Sequence, residues 1–451
     1  MYDLIVSGGK IVLEEEVVCA DIGVKDGKIT AMRELPSDCA AEVIDAQGKY
    51  IFPGLVDCHV HLNDPGFTWR EDFNAGTSAA AAGGVTTVID MPLQNEPPLF
   101  NLNAFSKKIG VLSGRAAVDY AFWGAALDYN IDDIKELHKA GCVAYKIFLG
   151  PVSEDYQTLG EETIAKVVEE VLKFDGLIGF HAEDYSIIKG EESKFFNKNN
   201  CGWRDYLATR PVSAELTAVK NVIALVRKTG VRAHICHVSH PDAAELIGSA
   251  QRCGLPITAE TCMHYLIFNE TDLLTKGPLF KCAPPLRAAD EQKKLWDYVV
   301  NGVLSVICSD HSPCMEDEKD VSRHGIFGAW GGISGLQSTM QLFFEYAINQ
   351  RGCSPTLLAR ALSANPAKIF GLYGQKGAVK VGYDADLVIF DPNLLWRITK
   401  DSLFYKNKIS AFTGLSGRGL PVRTILRGKT IYLYGGGGTV FYDGRLVTPE
   451  S

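Results

Sequence analysis

Apolar positions follow one rhythm at both ends of the chain and another in the middle. Over residues 1–50 they fall in short clusters, Leu4–Val6, Ile11–Leu13, Ala20–Val24, Ile29–Met32 and Val43–Asp45, divided by glycine turns such as Ser7-Gly8-Gly9 and Asp26-Gly27-Lys28. Short apolar runs punctuated by turn residues predict hairpin-connected strands. The same rhythm returns in Ala378–Lys380, Asp386–Phe390, Val422–Leu426, Thr430–Tyr434 and Val440–Tyr442. Two β-rich ends predict one small sandwich domain built from both termini, over residues 1–50 and 377–451. Gly435-Gly436-Gly437-Gly438 lies between two of these clusters with no Lys-Ser/Thr after it, so it reads as a hairpin tip and not as a phosphate loop.

Residues 51–376 alternate short apolar strands with stretches of helical periodicity. The strands are Ile51–Asp57, Thr86–Met91, Val118–Gly124, Val143–Phe148, Leu177–Ala182, Ala233–Val238, Ile257–Thr261 and Leu304–Ser309. Between them, Glu161–Lys173, Ala214–Lys228 and Pro241–Arg252 place apolar residues on one helical face. Such alternation is the signature of parallel βαβ units, and this many of them predict an α/β fold with a TIM-type (β/α)8 barrel. A doubly wound open sheet is the alternative.

A barrel of this kind gathers its chemistry at the C-terminal ends of its strands. Strand one ends in Asp57-Cys58-His59-Val60-His61, and strand alternation puts His59 and His61 on one face, about 7 Å apart along the chain. Alone, an H-x-H pair also fits hydrogen-bonded core histidines. His181, His237 and Asp310 stand at the ends of strands five, six and eight, and their recurrence at equivalent positions favours a shared metal site. Imidazoles with a carboxylate suit zinc and similar divalent ions, and the absence of C-x-x-C argues against a closed structural zinc site. Lys146 ends strand four. It either snorkels or pairs with Glu183 or Asp184, or its amine has taken up carbon dioxide as a carbamate able to bridge two ions. Two metals about 3.5–4 Å apart would share a hydroxide.

Composition narrows the partners. Lys plus Arg number 45 against 54 Asp plus Glu, for a net charge of −9, which disfavours nucleic acid or an anionic membrane as partner and favours a small molecule. A hydrophobic fraction of 46% supports a large core without disulfides, and the 12 cysteines, many inside apolar runs such as Val306-Ile307-Cys308, read as reduced packing residues. No apolar run is long enough to span a bilayer and the start carries no signal-peptide pattern, so a cytoplasmic protein is expected.

Pro53-Gly54-Leu55-Val56-Asp57-Cys58-His59-Val60-His61, with Lys146, His181, His237 and Asp310 following in order, resembles the cyclic amidohydrolases of the amidohydrolase superfamily over nearly the whole chain. Among them it is most similar to the allantoinase family, on Asn63-Asp64-Pro65-Gly66, Ser309-Asp310-His311-Ser312-Pro313-Cys314 and Ala329-Trp330-Gly331-Gly332-Ile333-Ser334-Gly335-Leu336-Gln337. The resemblance implies hydrolysis of the ring amide of allantoin to allantoate by a metal-bridging hydroxide. It also implies two divalent ions, zinc with cobalt, manganese or iron as alternatives. One would sit on His59, His61, Lys146 and Asp310, and the other on Lys146, His181 and His237. Lys146 would be N6-carboxylysine, Asp310 would shuttle the proton, and Ala283, Ser312 and Gly332 would contact the ring. A homo-oligomer, tetramer or dimer, is likewise implied. Asn63 stands where dihydroorotases place an arginine for the substrate carboxylate, and Ala283 stands where dihydropyrimidinases place a serine. The alternatives are a hydantoinase or dihydropyrimidinase acting on another cyclic ureide, and a non-catalytic relative, against which the complete ligand set argues.

Overall fold

Three sheets organise the chain in a computed structural model that describes residues 1–151, 156–195, 198, 200–436 and 441–449. The N-terminal strands are β1 (Tyr2–Ser7), β2 (Lys10–Val12), β3 (Val17–Cys19), β4 (Asp21–Lys25), β5 (Lys28–Arg33), β6 (Ala40–Asp45) and β7 (Tyr50–Pro53). The eight that follow are β8 (Leu55–Val60), β9 (Val85–Asp90), β10 (Asp119–Ala125), β11 (Ala144–Phe148), β12 (Leu177–His181), β13 (Arg232–Ile235), β14 (Ile257–Cys262) and β15 (Val306–Cys308). The C-terminal strands are β16 (Leu387–Arg397), β17 (Ser416–Leu426) and β18 (Lys429–Leu433).

Strands β8 to β15 form one 8-stranded parallel sheet in sequential order, each joined to the next through helix-bearing segments. β8 and β15 come round to meet each other: the His61 amide donates to the His311 carbonyl at 2.9 Å and the Ser309 amide to Asp57 Oδ1 at 3.2 Å. The result is the expected (β/α)8 barrel. Its strands are buried on both faces, as parallel strands covered by helices must be. The helix Glu161–Leu172 illustrates the covering layer: Ile164, Val167, Val168 and Val171 recur at helical spacing on its buried face, and Glu161 and Glu162 favour its N-terminus.

The other two sheets draw on both termini. One runs β5-β4-β1-β6, and the other runs β18-β17-β16-β7-β2-β3, so the C-terminal strands extend an N-terminal sheet. Leu4, Val6, Ile22, Val24, Ile51, Leu387, Ile389 and Ile425 belong to the core that joins them. Lys376 locks this unit to the barrel. Its ammonium contacts Asp119 at 2.5 Å, Asp386 at 2.7 Å and Asp384 at 2.8 Å, and Arg427 also pairs with Asp119.

Two expectations are modified. The run Ile51–Asp57 is divided: β7 pairs with β16 and β2 in the terminal sheet, whereas β8 opens the barrel. Gly54 is the pivot, and a Cβ there would lie 2.2 Å from Thr86 Oγ1. Ala378–Lys380 forms no strand, although Val379 is buried in the sandwich core. Of the expected strand Val440–Tyr442 and the hairpin tip, Val440, Gly437 and Gly438 lie outside the described residues. No helix among the described residues is long and apolar enough to cross a membrane.

Candidate active site

The C-terminal strand ends bring the sequence-predicted polar residues into one buried cluster. His59, on β8, and His61, just beyond it, have ring centroids 5.4 Å apart; His59 and His237 are 5.3 Å apart, and His237 and His181 4.7 Å apart. Asp310 Oδ1 lies 3.3 Å from His59 Nε2 and 3.5 Å from His61 Nε2. His237 (φ 37°) and Asp310 (φ 43°) both take left-handed backbone conformations immediately after their strands. Such strain in non-glycine residues persists where the surroundings impose it, typically at functional sites. Lys146, 1% exposed, donates to Cys236 Sγ at 3.0 Å, and its charge bears on His59, His181 and His237. It pairs with neither Glu183 nor Asp184: Glu183 receives His181 and Arg210, and Asp184 caps a helix by accepting from the Ile187 amide at 3.0 Å.

Proton placement around these rings leaves lone pairs facing one another. His181 Nε2 bonds Glu183 at 2.8 Å, so its proton belongs there and Nδ1 turns a lone pair toward His237 Nε2, 3.1 Å away. His237 Nδ1 is buried without a partner, as is His61 Nδ1. His59 Nδ1 bonds Glu260, which points its Nε2 lone pair at the Asp310 carboxylate. Two donors on one tetrahedral zinc ion stand about 3.4 Å apart, given bonds of about 2.0–2.1 Å. The spacings here are close to that. Donor type, separation and orphaned nitrogens therefore fit divalent cations, and a nitrogen of His59, one of His237 and an oxygen of Asp310 all lie within 4.8 Å of one another.

Electrostatics points the same way. Burial lowers His237, His181 and His61, keeping them neutral as ligands require. Burial opposes ionisation of Asp310, but His59, His61 and His237 outweigh it and hold the carboxyl well below the usual range. Burial likewise opposes a charge on His59, yet Glu260 and Asp310 on either side raise it well above an ordinary histidine. Protons and metal ions thus compete for the same lone pair.

Carboxylates behind the cluster orient it. Glu260, fully buried on β14, also accepts from Cys58 Sγ at 3.2 Å and from the His237 amide at 3.3 Å, and lies 3.2 Å from His234 Nε2. Burial raises Glu183, but Arg210 and His181 hold it down to about 2. The sequence reading did not single out Glu260, although an acid inside the apolar run Ile257–Cys262 was the signal available. His311, the residue after Asp310, is fully buried, 3.6 Å from Glu71 and with its ring centroid 4.8 Å from that of Tyr405.

The expected ring contacts lie on the loops above. The Ala283 amide and carbonyl have no hydrogen-bond partner among the described residues, whereas neighbouring carbonyls are used: Cys282 accepts from Tyr206 at 2.8 Å and Pro284 from Tyr265 at 2.7 Å. Ser312 and Gly332 adjoin each other, since a Cβ on Gly332 would lie 2.6 Å from Ser312 Oγ. The Gly332 amide is already given to the Lys281 carbonyl at 2.9 Å, and its carbonyl accepts from Lys319 at 2.7 Å. The charge run Glu316–Asp320 contains this buried lysine because its ammonium ties the loop to the barrel rim through the Pro278 and Gly332 carbonyls.

A (β/α)8 barrel with imidazoles and a carboxylate converging at its mouth has the make-up of a metal-dependent hydrolase. The family model described as "Amidohydrolase family" matches residues 50–431. Allantoinase of Enterococcus faecalis is 37% identical over 452 residues, covering 98% of each chain, and allantoinase of Rubrobacter xylanophilus is 38% identical over 452 residues, covering 100% of this chain and 98% of that one. Among solved structures, the L-hydantoinase (dihydropyrimidinase) from Arthrobacter aurescens superposes with a TM-score of 0.96 at 32% identity, covering 99% of this chain and 100% of that one. The chain belongs to the amidohydrolase family.

Proposed function

We propose that this enzyme hydrolyses cyclic amides and that its substrate is allantoin, opened to allantoate. The observation that carries this reading is the convergence of His59, His61, Lys146, His181, His237 and Asp310 at one barrel mouth in a chain alike to allantoinases over nearly its full length. Hydantoinase or dihydropyrimidinase activity on another ring is the second reading, favoured by the likeness to the Arthrobacter structure.

His59, His61, Lys146 and Asp310 would hold one divalent ion and Lys146, His181 and His237 a second, with Lys146 as N6-carboxylysine so that its charge matches the site. Bound divalent ions supply Lewis acidity toward the amide carbonyl and bring the pKa of water down to about 7. Asp310 takes the proton released as water oxygen bonds to the carbonyl carbon, and returns it to the ring nitrogen as the C–N bond breaks. Its depressed pKa keeps it ionised to receive that proton. Glu260 and Glu183 fix the tautomers of His59 and His181. Ala283 offers unpaired backbone groups to the ureide edge, and Ser312 and Gly332 shape the wall beside it. Zinc suits the donor set, with cobalt, manganese or iron as substitutes. We further propose a sandwich domain of residues 1–50 and 377–451 around a catalytic barrel of 51–376, a homo-oligomer (tetramer or dimer), and a cytoplasmic location, with neither nucleic acid nor membrane as partner.

The test is allantoin turnover by protein reconstituted with zinc and bicarbonate, with metal counted by elemental analysis. Two ions per chain and turnover abolished by chelation are expected, with Asp310→Asn folded but slower by orders of magnitude. Near-normal turnover by metal-loaded Asp310→Asn contradicts the proton role.

A further inference from the structure

His264 is a histidine at the barrel mouth that the proposed metal cradle does not use. It follows β14 in the short helix Met263–Ile267, is 1% exposed, and has no hydrogen-bond partner on either ring nitrogen. One of those nitrogens lies within 4.8 Å of an Asp310 carboxylate oxygen and of Cys262 Sγ. Cys262 is itself turned to Cys308, with the two sulfurs 3.5 Å apart. A buried polar atom left unpaired is costly, and such atoms in native proteins are resolved by water or by a ligand.

The ring cannot readily swing away to find partners, because its helix is pinned on several sides. Tyr265 donates to the Pro284 carbonyl at 2.7 Å, the indole of Trp296 donates to the Leu266 carbonyl at 2.9 Å, and the Phe268 amide closes on the His264 carbonyl at 2.9 Å. Burial keeps the imidazole neutral, at about 4, so it presents one donor and one acceptor. With one of its nitrogens within 4.8 Å of an Asp310 oxygen, the ring stands close enough to share with Asp310 a polar group of a bound ligand.

From this geometry we infer that His264 is a specificity-determining residue that hydrogen-bonds the polar substituent on the ring carbon next to the amide under attack, which in allantoin is its ureido group. The inference rests on the allantoin reading above. In a five-membered cyclic ureide that carbon is bonded directly to the carbonyl carbon. With the carbonyl at a reacting distance of roughly 3–3.5 Å, the substituent falls in the neighbourhood of Asp310 where His264 stands. A neutral ring with both nitrogens unpaired rewards a substituent carrying N–H and C=O groups. It disfavours an alkyl group, which would leave the ring unsatisfied.

The experiment compares allantoin with a hydantoin bearing a methyl group on the same carbon, using zinc-loaded full-length enzyme, His264→Leu and His264→Gln. The readouts are kcat/KM, or a competitive inhibition constant for a ring that is not opened, together with metal content. His264→Leu is expected to lose about 10- to 100-fold in kcat/KM on allantoin while its kcat/KM or inhibition constant for methylhydantoin stays within about threefold and its metal content is unchanged. His264→Gln, which keeps a donor and an acceptor, is expected to recover part of the loss and serves if the leucine variant fails to fold. Parallel losses on both rings, no loss on either, or a fall in bound metal would overturn the assignment. Wild-type enzyme that opens methylhydantoin and not allantoin would instead refute the allantoin reading, and the ureido contact with it.

Discussion

Replacing Glu260 by glutamine removes one buried charge and preserves the shape around it. In the wild-type protein that carboxylate holds the Nδ1 proton of His59, accepts from Cys58 and the His237 amide, and lies 3.2 Å from His234. Two effects oppose each other in the variant. Glu260 raises the pKa of His59, so its loss lowers the proton competition that an incoming metal ion must overcome. It also removes a negative charge that attracts the ion. Both effects arise from the same charge, and a divalent ion feels it about twice as strongly as a proton does, so the net change is a loss. A charge-assisted hydrogen bond of about 1.5–3 kcal/mol corresponds to roughly 10- to 100-fold in metal affinity. Competition against a chelator at pH 7 measures the affinity, and calorimetry in buffers of different ionisation enthalpy counts the protons displaced. The variant is expected to bind metal more weakly and to release fewer protons. Unchanged affinity with unchanged proton release would refute the claim that Glu260 orients and charges His59.

Further outcomes concern the frame around the site. Lys281 and Lys319 are buried with backbone carbonyls as their partners, and burial first, with the neighbouring Lys319 next for Lys281, lowers them to about 7 and about 8. Between those values and the unfolded value near 10.5 the unfolded chain binds more protons, so stability rises with pH from about 7 toward 10. Thermal unfolding should show a rise in Tm over that window that shrinks in Lys281→Met/Lys319→Met; an identical pH dependence in both proteins would contradict the burial argument. Lys376→Met should leave Asp119, Asp384 and Asp386 undercompensated and cost about 3–5 kcal/mol, read as a lowered Tm, with kcat per folded molecule unchanged because Asp119 begins β10 at the end of the barrel away from the site.

Much of this architecture can be read from residue order. The alternation of apolar runs locates the barrel strands to within a few residues, because parallel strands buried on both faces must be apolar throughout. His59 and His61 are recognisable as a pair because strand alternation is rigid. Other features depend on contacts between residues far apart in the chain. Nothing local divides Tyr50–Pro53 from Leu55–Val60; the division comes from pairing with β16, more than 330 residues away in the sequence, and from the fit of Gly54 against Thr86. Lys319 sits in a charge run that looks solvated, and only the carbonyls of Pro278 and Gly332 draw it inside. The role of Glu260 depends on four partners from two other strands or their ends, β8 and β13.

The most direct test of the central claim is kcat/KM for allantoin beside hydantoin, dihydrouracil and dihydroorotate, with zinc- and bicarbonate-loaded enzyme and a chelated control. The account predicts that allantoin is opened to allantoate far faster than the other three rings and that chelation abolishes the reaction. Preference for another ring, or no turnover of any of the four with both metals bound, would contradict it.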